Sequence, residues 1–152
     1  MIRKLQKVDI NRVADIWLKT NLKTHYFIPE QYWTNNYEVV KEMLPQAEVY
    51  VYEDDKIIQG FIGINDEYIE GIFVSDEMQS HGIGKILLDY MKDKKVRLQL
   101  NVYQKNVRAI SFYQREGFTI QCDQIDEFTG EKEYVMEWNQ LNISITIKEK
   151  AP

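Results

Sequence analysis

Residues 69–91 constrain this chain more than any other stretch. An apolar segment, Ile69 to Val74, runs into a polar loop, and the loop ends in Gln79-x-x-Gly82-x-Gly84. A helical pattern follows at once through Lys85, Ile86, Leu87, Leu88, Asp89, Tyr90 and Met91. Strand, glycine turn and helix in that order predict an α/β chain. Glycines at such a junction let backbone N–H groups converge on one point, and the positive end of the new helix faces the same point. Together they predict a main-chain site for a pyrophosphate.

Two familiar phosphate loops fail on spacing. A Walker loop needs Gly-x4-Gly-Lys-Ser/Thr, and that run is absent. A dinucleotide loop needs three glycines after a first strand, with an acidic residue further on. Here two glycines follow what reads as the fourth strand. A second stretch adds to the first. Asn101 to Tyr103 closes an apolar strand, Asn106 opens a helix carrying Ala109, Phe112 and Tyr113, and Gly117-Phe118 ends it.

In these two segments, and in their order and separation, the chain resembles the GCN5-related N-acetyltransferases, whose loop reads Gln/Arg-x-x-Gly-x-Gly/Ala. Ile16-Trp17-Leu18 and Tyr32-Trp33 make it most similar to the small, one-domain bacterial members. The resemblance covers residues 1–138. It implies an acyltransferase that moves acetyl from acetyl-CoA to an amine and releases CoA. Gln79, Ser80, His81, Gly82, Ile83, Gly84 and Lys85 would hold the cofactor, largely through backbone N–H groups. Ile72, Phe73 and Val74 would offer backbone groups to the pantetheine arm, and an N–H near Ile72 would polarise the thioester carbonyl. Gly71 reads either as the start of a bulge or as tight strand packing. Gly82 and Gly84 read as cofactor approach and as helix–strand packing, two roles that are compatible. Asn106 reads as an N-cap and as a pantetheine contact.

Tyr113 would be the general acid. A phenol with a pKa of about 10 is protonated at neutral pH and matches the basicity of a leaving thiolate. Asn106 and Tyr113 lie seven residues apart, on one helical face. The base is less defined. Histone-type members use a fourth-strand Glu, and the matching position here is Tyr68. Glu70, two residues on, is the candidate base, and it also reads as an ordinary surface residue. His25, Tyr32 and Tyr103 are the candidate walls of the acceptor pocket, where aromatic faces attract a cation.

Hydrophobic periods predict a mixed sheet with helices on both faces, in the order β-α-α-β-β-β-α-β-α-β-β. Residues 2–6 read as a strand, and Asp9 as the cap of a first helix. Residues 20–29 read as a loop, and about 30–44 as one helix ending before Pro45. In 152 residues with 44% hydrophobic content, residues 1–138 read as one domain. Residues 139–152 form a tail of unassigned role. Its alternating Ile143, Ile145 and Ile147 suit an edge strand, a pairing segment or an appended extension.

A net charge of −5 with no Lys/Arg stripe argues against nucleic acid and weakly favours a cationic acceptor, either a protein lysine or a small-molecule amine. No apolar run of membrane-spanning length exists, and the N-terminus lacks a signal-peptide core. The lone Cys122 fits a reducing cytoplasm. No metal is expected. The final strands suit a homodimer. The competing expectation is a sensor of the same fold that binds acyl-CoA without turnover.

Overall fold

The structure, a computed structural model, describes residues 1–141; the predicted tail lies outside them from residue 142 onward. The elements are β1 (Ile2–Lys4), α1 (Ile10–Thr24), α2 (Glu30–Asn35), α3 (Tyr37–Met43), β2 (Glu48–Asp54), β3 (Ile57–Asn65), β4 (Tyr68–Val74), α4 (Ile83–Lys94), β5 (Arg97–Tyr103), α5 (Val107–Arg115), β6 (Thr119–Ile125) and β7 (Lys132–Asn139). The mixed α/β class is as expected. Contacts divide the chain into two compact units, Met1–Leu88 and Asp89–Pro152, with α4 running across the division. No helix among the described residues is long and apolar enough to cross a membrane.

In the first unit β1, β2, β3 and β4 pair antiparallel in sequence order. The β2–β3 hairpin turns on Asp55 (φ 50°) and Lys56 (φ 65°), and two positive φ angles are what a right-twisted two-residue hairpin needs. Val13, Ala14 and Ile16 of α1 pack with Val49, Val51, Ile58 and Phe61 of the sheet. Each Val, Ile or Phe side chain among them taken fully from water contributes about 1.5–3 kcal/mol.

Three sequence expectations change here. Helix α1 continues to Thr24 instead of breaking at Thr20. Asn21 is buried, its Nδ2 donates to Trp17 O (2.9 Å) and its backbone carbonyl accepts from His25 N–H (2.9 Å), so the last turn is stapled from inside. Asp9 does not cap α1. Its carboxylate accepts from the Gln6 N–H (2.7 Å) and from Arg3, tying β1 to the helix start. The expected helix over 30–44 is two helices. Asn36 at φ −97°, ψ 0° separates them, with its Nδ2 turned back to Tyr32 O (2.6 Å).

In the second unit β7 lies between β5 and β6, antiparallel to both. Opposed residues share a face. Leu98 and Leu100 face Trp138 and Met136 on the buried side. The other side carries Asn101 and Tyr103 of β5, Glu133 and Val135 of β7, and Cys122 and Gln124 of β6. All seven residues of β6 are exposed. Helix α5 ends on Gly117 at φ 94°, where Phe118 N–H reaches Tyr113 O (2.9 Å), the αL stop expected from the sequence.

Candidate active site

The glycine loop sits in the first unit, between β4 and α4. Ser75, at the end of β4, is buried and pinned to Gln59 through its hydroxyl (2.9 Å) and its N–H (2.8 Å). One 3-10 turn, Asp76–Met78, then carries the chain to Gln79. The Gln79 side chain donates to Val74 O at 3.2 Å, so it fastens the loop to the strand. Ser80 (φ 67°) and Gly82 (φ 82°) take left-handed angles on either side of the exposed His81. A Cβ at Gly82 would meet no atom within 4 Å, so the glycine serves the backbone angle and open space rather than packing.

Ile86 N–H bonds to Gly82 O (3.0 Å) and closes the first turn of α4. The N–H groups of Ile83, Gly84 and Lys85 precede it, in the turn that has no helical acceptors of its own. This arrangement, with the exposed Lys85 beside it, fits a diphosphate such as that of CoA.

Strand β4 approaches the loop with Ile72, Phe73 and Val74 paired to Ile62, Phe61 and Gly60. The Phe73 ring stacks on Phe61 (4.9 Å, 24°). The register slips between Gly63 and Ile64 of β3, leaving Glu70 as the extra residue of β4. Gly71 follows this bulge, as predicted, and tight packing applies too, since a Cβ there would lie 2.4 Å from the Phe73 ring. Glu70 is exposed, makes no hydrogen bond or ion pair among the described residues, and partial desolvation raises its carboxyl above the usual range.

His25 and Tyr32 come together around Trp33. The imidazole stacks on the indole (5.5 Å, 28°), and Tyr32 meets it edge-on (4.8 Å, 81°). His25 Nδ1 lies 2.8 Å from Asn21 Oδ1. The Asn21 amide is oriented by its bond to Trp17 O, so the His25 proton belongs on Nδ1. Burial pushes the imidazole down to about 4, so it is neutral near pH 7. The unfolded chain, at about 6.5, protonates first. Stability is therefore expected to fall as pH drops from about 6.5 to about 4, by ~3 kcal/mol from this group. Urea melts of the parent and of His25→Gln would show that slope shrinking in the variant.

The second unit holds Asn106, Tyr113 and Tyr103. Asn106 Oδ1 accepts from Ala109 N–H (3.2 Å), so the cap reading holds. Tyr113 is buried between two edge-on rings, Phe112 (5.2 Å) and Phe118 (5.4 Å). Tyr103 donates its hydroxyl proton to Asp126 Oδ2 (2.6 Å). Next to this pair lies Glu133, a residue the sequence reading passed over, which is only 9% exposed. The last strand reads from the sequence as 134–138, one residue short of Glu133, and the observed β7 begins at Lys132 and pairs with both β5 and β6. A groove of about 590 Å³, lined by Leu5, Lys7, Ile10, Leu44 and Val49 among others, contains none of the predicted residues.

Chemically, the first unit offers an anion cradle beside a strand, and the second a buried phenol and a buried carboxylate. Residues 45–120 match the model of the acetyltransferase (GNAT) domain. The chain is 35% identical to the peptidyl-lysine N-acetyltransferase YiaC of Escherichia coli over 141 residues, covering 91% of this chain and 96% of that protein. Its fold is similar to the solution structure of apo YjaB from Escherichia coli (TM-score 0.82, 21% identity, covering 91% of this chain and 96% of that one). It is also similar to yncA from Salmonella typhimurium, solved with acetyl-CoA (TM-score 0.70, 18% identity, covering 92% and 93%). With half of its length matching the domain model and an N-acetyltransferase matching nearly end to end, the chain belongs to the GNAT family of N-acetyltransferases.

Proposed function

We propose that residues 1–138 act as one catalytic domain that transfers acetyl from acetyl-CoA to the ε-amine of a protein lysine. The observation that carries the cofactor half is the pair of left-handed residues, Ser80 and Gly82, set directly before the first turn of α4. The acceptor half draws support from the peptidyl-lysine activity in the names of YiaC and YjaB.

In this reading the backbone from Gln79 to Lys85 holds the diphosphate, with Lys85 adding positive charge and His81 a ring N–H donor. Ile72, Phe73 and Val74 present backbone groups to the pantetheine arm, and Asn106 adds a side-chain contact while capping α5. Bound acetyl-CoA supplies the activated acetyl group as a thioester. An N–H near Ile72 polarises its carbonyl. Tyr113 delivers the proton from its hydroxyl to the sulfur that leaves. His25 and Tyr32 of the first unit and Tyr103 of the second are the acceptor contacts of this reading.

The test is CoA release from acetyl-CoA against lysine peptides, polyamines, amino acids and aminoglycosides. Release with lysine peptides alone is the expected result. Release only with a small amine would overturn the protein-lysine assignment. A thermal shift with acetyl-CoA but no release with any amine would favour the sensor instead.

A further inference from the structure

Glu133 is nine-tenths buried and has no cation bonded to it among the described residues. Gln124 Nε2 (2.7 Å) and Asn101 Nδ2 (3.4 Å) both donate to its Oε1. Its Oε2 accepts no hydrogen bond among the described residues. A carboxylate left in that condition is costly, and it costs far less when a cation arrives. Asp126 adds a second negative charge nearby, held by Tyr103 Oη and by the Phe128 N–H (2.9 Å). The ligand that fits two carboxylates and a phenol oxygen is a primary ammonium, whose three donors match them.

We infer that Glu133 receives the acceptor's ammonium group and is the base that deprotonates it. This rests on the acetyl-transfer reading, and it supplies the base for which Glu70 was the sequence candidate. An N–H bond of the ammonium breaks and an O–H bond forms at Glu133. The freed lone pair makes the new C–N bond as the C–S bond breaks. The first proton passes from Glu133 to solvent. The second, released as the amide forms, balances the one Tyr113 gives to sulfur.

The electrostatics suit these roles. Burial pushes the Glu133 carboxyl up, Gln124 holds it back, and the Asp126 charge pushes it further. Burial also works against the Asp126 anion, but hydrogen bonds from Tyr103, Phe128 and Thr129 outweigh it and hold that carboxyl below the usual range. Two carboxylates with values pushed apart divide the work: Asp126 stays charged, and Glu133 exchanges a proton.

The experiment pairs binding with turnover. Nα-acetyl-lysine amide is titrated into the full chain by NMR without acetyl-CoA, with the norleucine analogue as the uncharged control. The parent is expected to bind the lysine compound at least tenfold more tightly than Glu133→Gln does, and neither binds the control as well. In turnover with a lysine peptide at pH 7, Glu133→Gln is expected to lower kcat about a hundredfold. Its acetyl-CoA affinity and melting temperature stay near the parent's. Raising the pH toward the free amine's pKa of about 10 restores part of the loss, since more amine arrives neutral. Among the described residues Tyr103 of β5 lies opposite Glu133, Asp126 adds a charge to it, and Cys122 of β6 shares the sheet face, so Asp126→Asn and Cys122→Ser are profiled alongside. Gln124→Ala gives a smaller loss of the same kind. If Glu133→Gln keeps amine affinity, kcat and KM within twofold of an active parent, the inference is overturned. Glu133-dependent amine binding in a parent that never releases CoA would fail the acetyl-transfer reading and the proton step, and leave the ammonium site standing.

Discussion

Replacing Tyr113 with Phe is expected to lower kcat for acetyl transfer about a hundredfold to ten-thousandfold and to leave acetyl-CoA affinity near the parent's. That range is the usual contribution of a positioned general acid. The argument rests on what the substitution spares. Tyr113 packs edge-on against Phe112 and Phe118, and its backbone carbonyl accepts the Phe118 N–H at the end of α5. Phe keeps the ring, the rotamer and the carbonyl. It removes one hydroxyl, and with it about 1 kcal/mol of hydrogen bonding. A fold that melts within a few degrees of the parent but has lost turnover places the loss at the proton. Stopped-flow traces should then show donor binding intact and the chemical step slow. Equal turnover in the variant would end the role.

Asp9→Ala is expected to give the largest loss of stability, about 3 kcal/mol, or a fall of about 6–12 °C in melting temperature. Asp9 is 5% exposed, and its two oxygens take Arg3 in a fork at 2.7 and 3.1 Å. Removing it strands a guanidinium at the base of β1 and leaves the Gln6 N–H without its acceptor. Arg3 keeps Glu53 at 3.0 Å and is one-fifth exposed, which puts the loss at the low end for a broken buried pair. The hydrogen bond from Arg3 leads in holding the Asp9 carboxyl below its usual value, against the opposing effect of burial. A depressed carboxyl stabilises above the unfolded pKa of about 4 and loses that contribution as pH falls through its folded value. Thermal melts should therefore show parent and variant far apart at neutral pH and converging in acid.

The glycine loop, α4, the cap at Asn106 and the stop at Gly117 were legible in the sequence because each rests on local backbone demands. Positive φ needs glycine, a helix start needs an acceptor, and both lie within a few residues of their cause. The extension of α1 was not legible, because it depends on the Asn21 amide bonding inward to Trp17 and His25. The break at Asn36 has no Gly or Pro to announce it. It comes from an Asn side chain competing with the backbone for Tyr32 O. Gln79 was expected to hold the cofactor chiefly through its backbone, and its side chain is engaged separately, with Val74 O. Glu133 was missed for a more general reason. It falls just ahead of the strand read at 134–138, and the pairing of β7 between β5 and β6, which extends that strand to Lys132, is a long-range feature.

Cys122 stands on β6 two residues before Gln124, on the side of the strand that carries Glu133's hydrogen-bond partner. It is exposed, and it is the one cysteine of the chain. Any colorimetric thiol reagent will therefore read one equivalent per protein before the first turnover, an offset that also counts the protein in the cuvette. The same sulfur gives a native attachment point for a fluorophore. An environment-sensitive dye there would sit one strand away from the arriving amine and report its binding in real time, with no engineered cysteine.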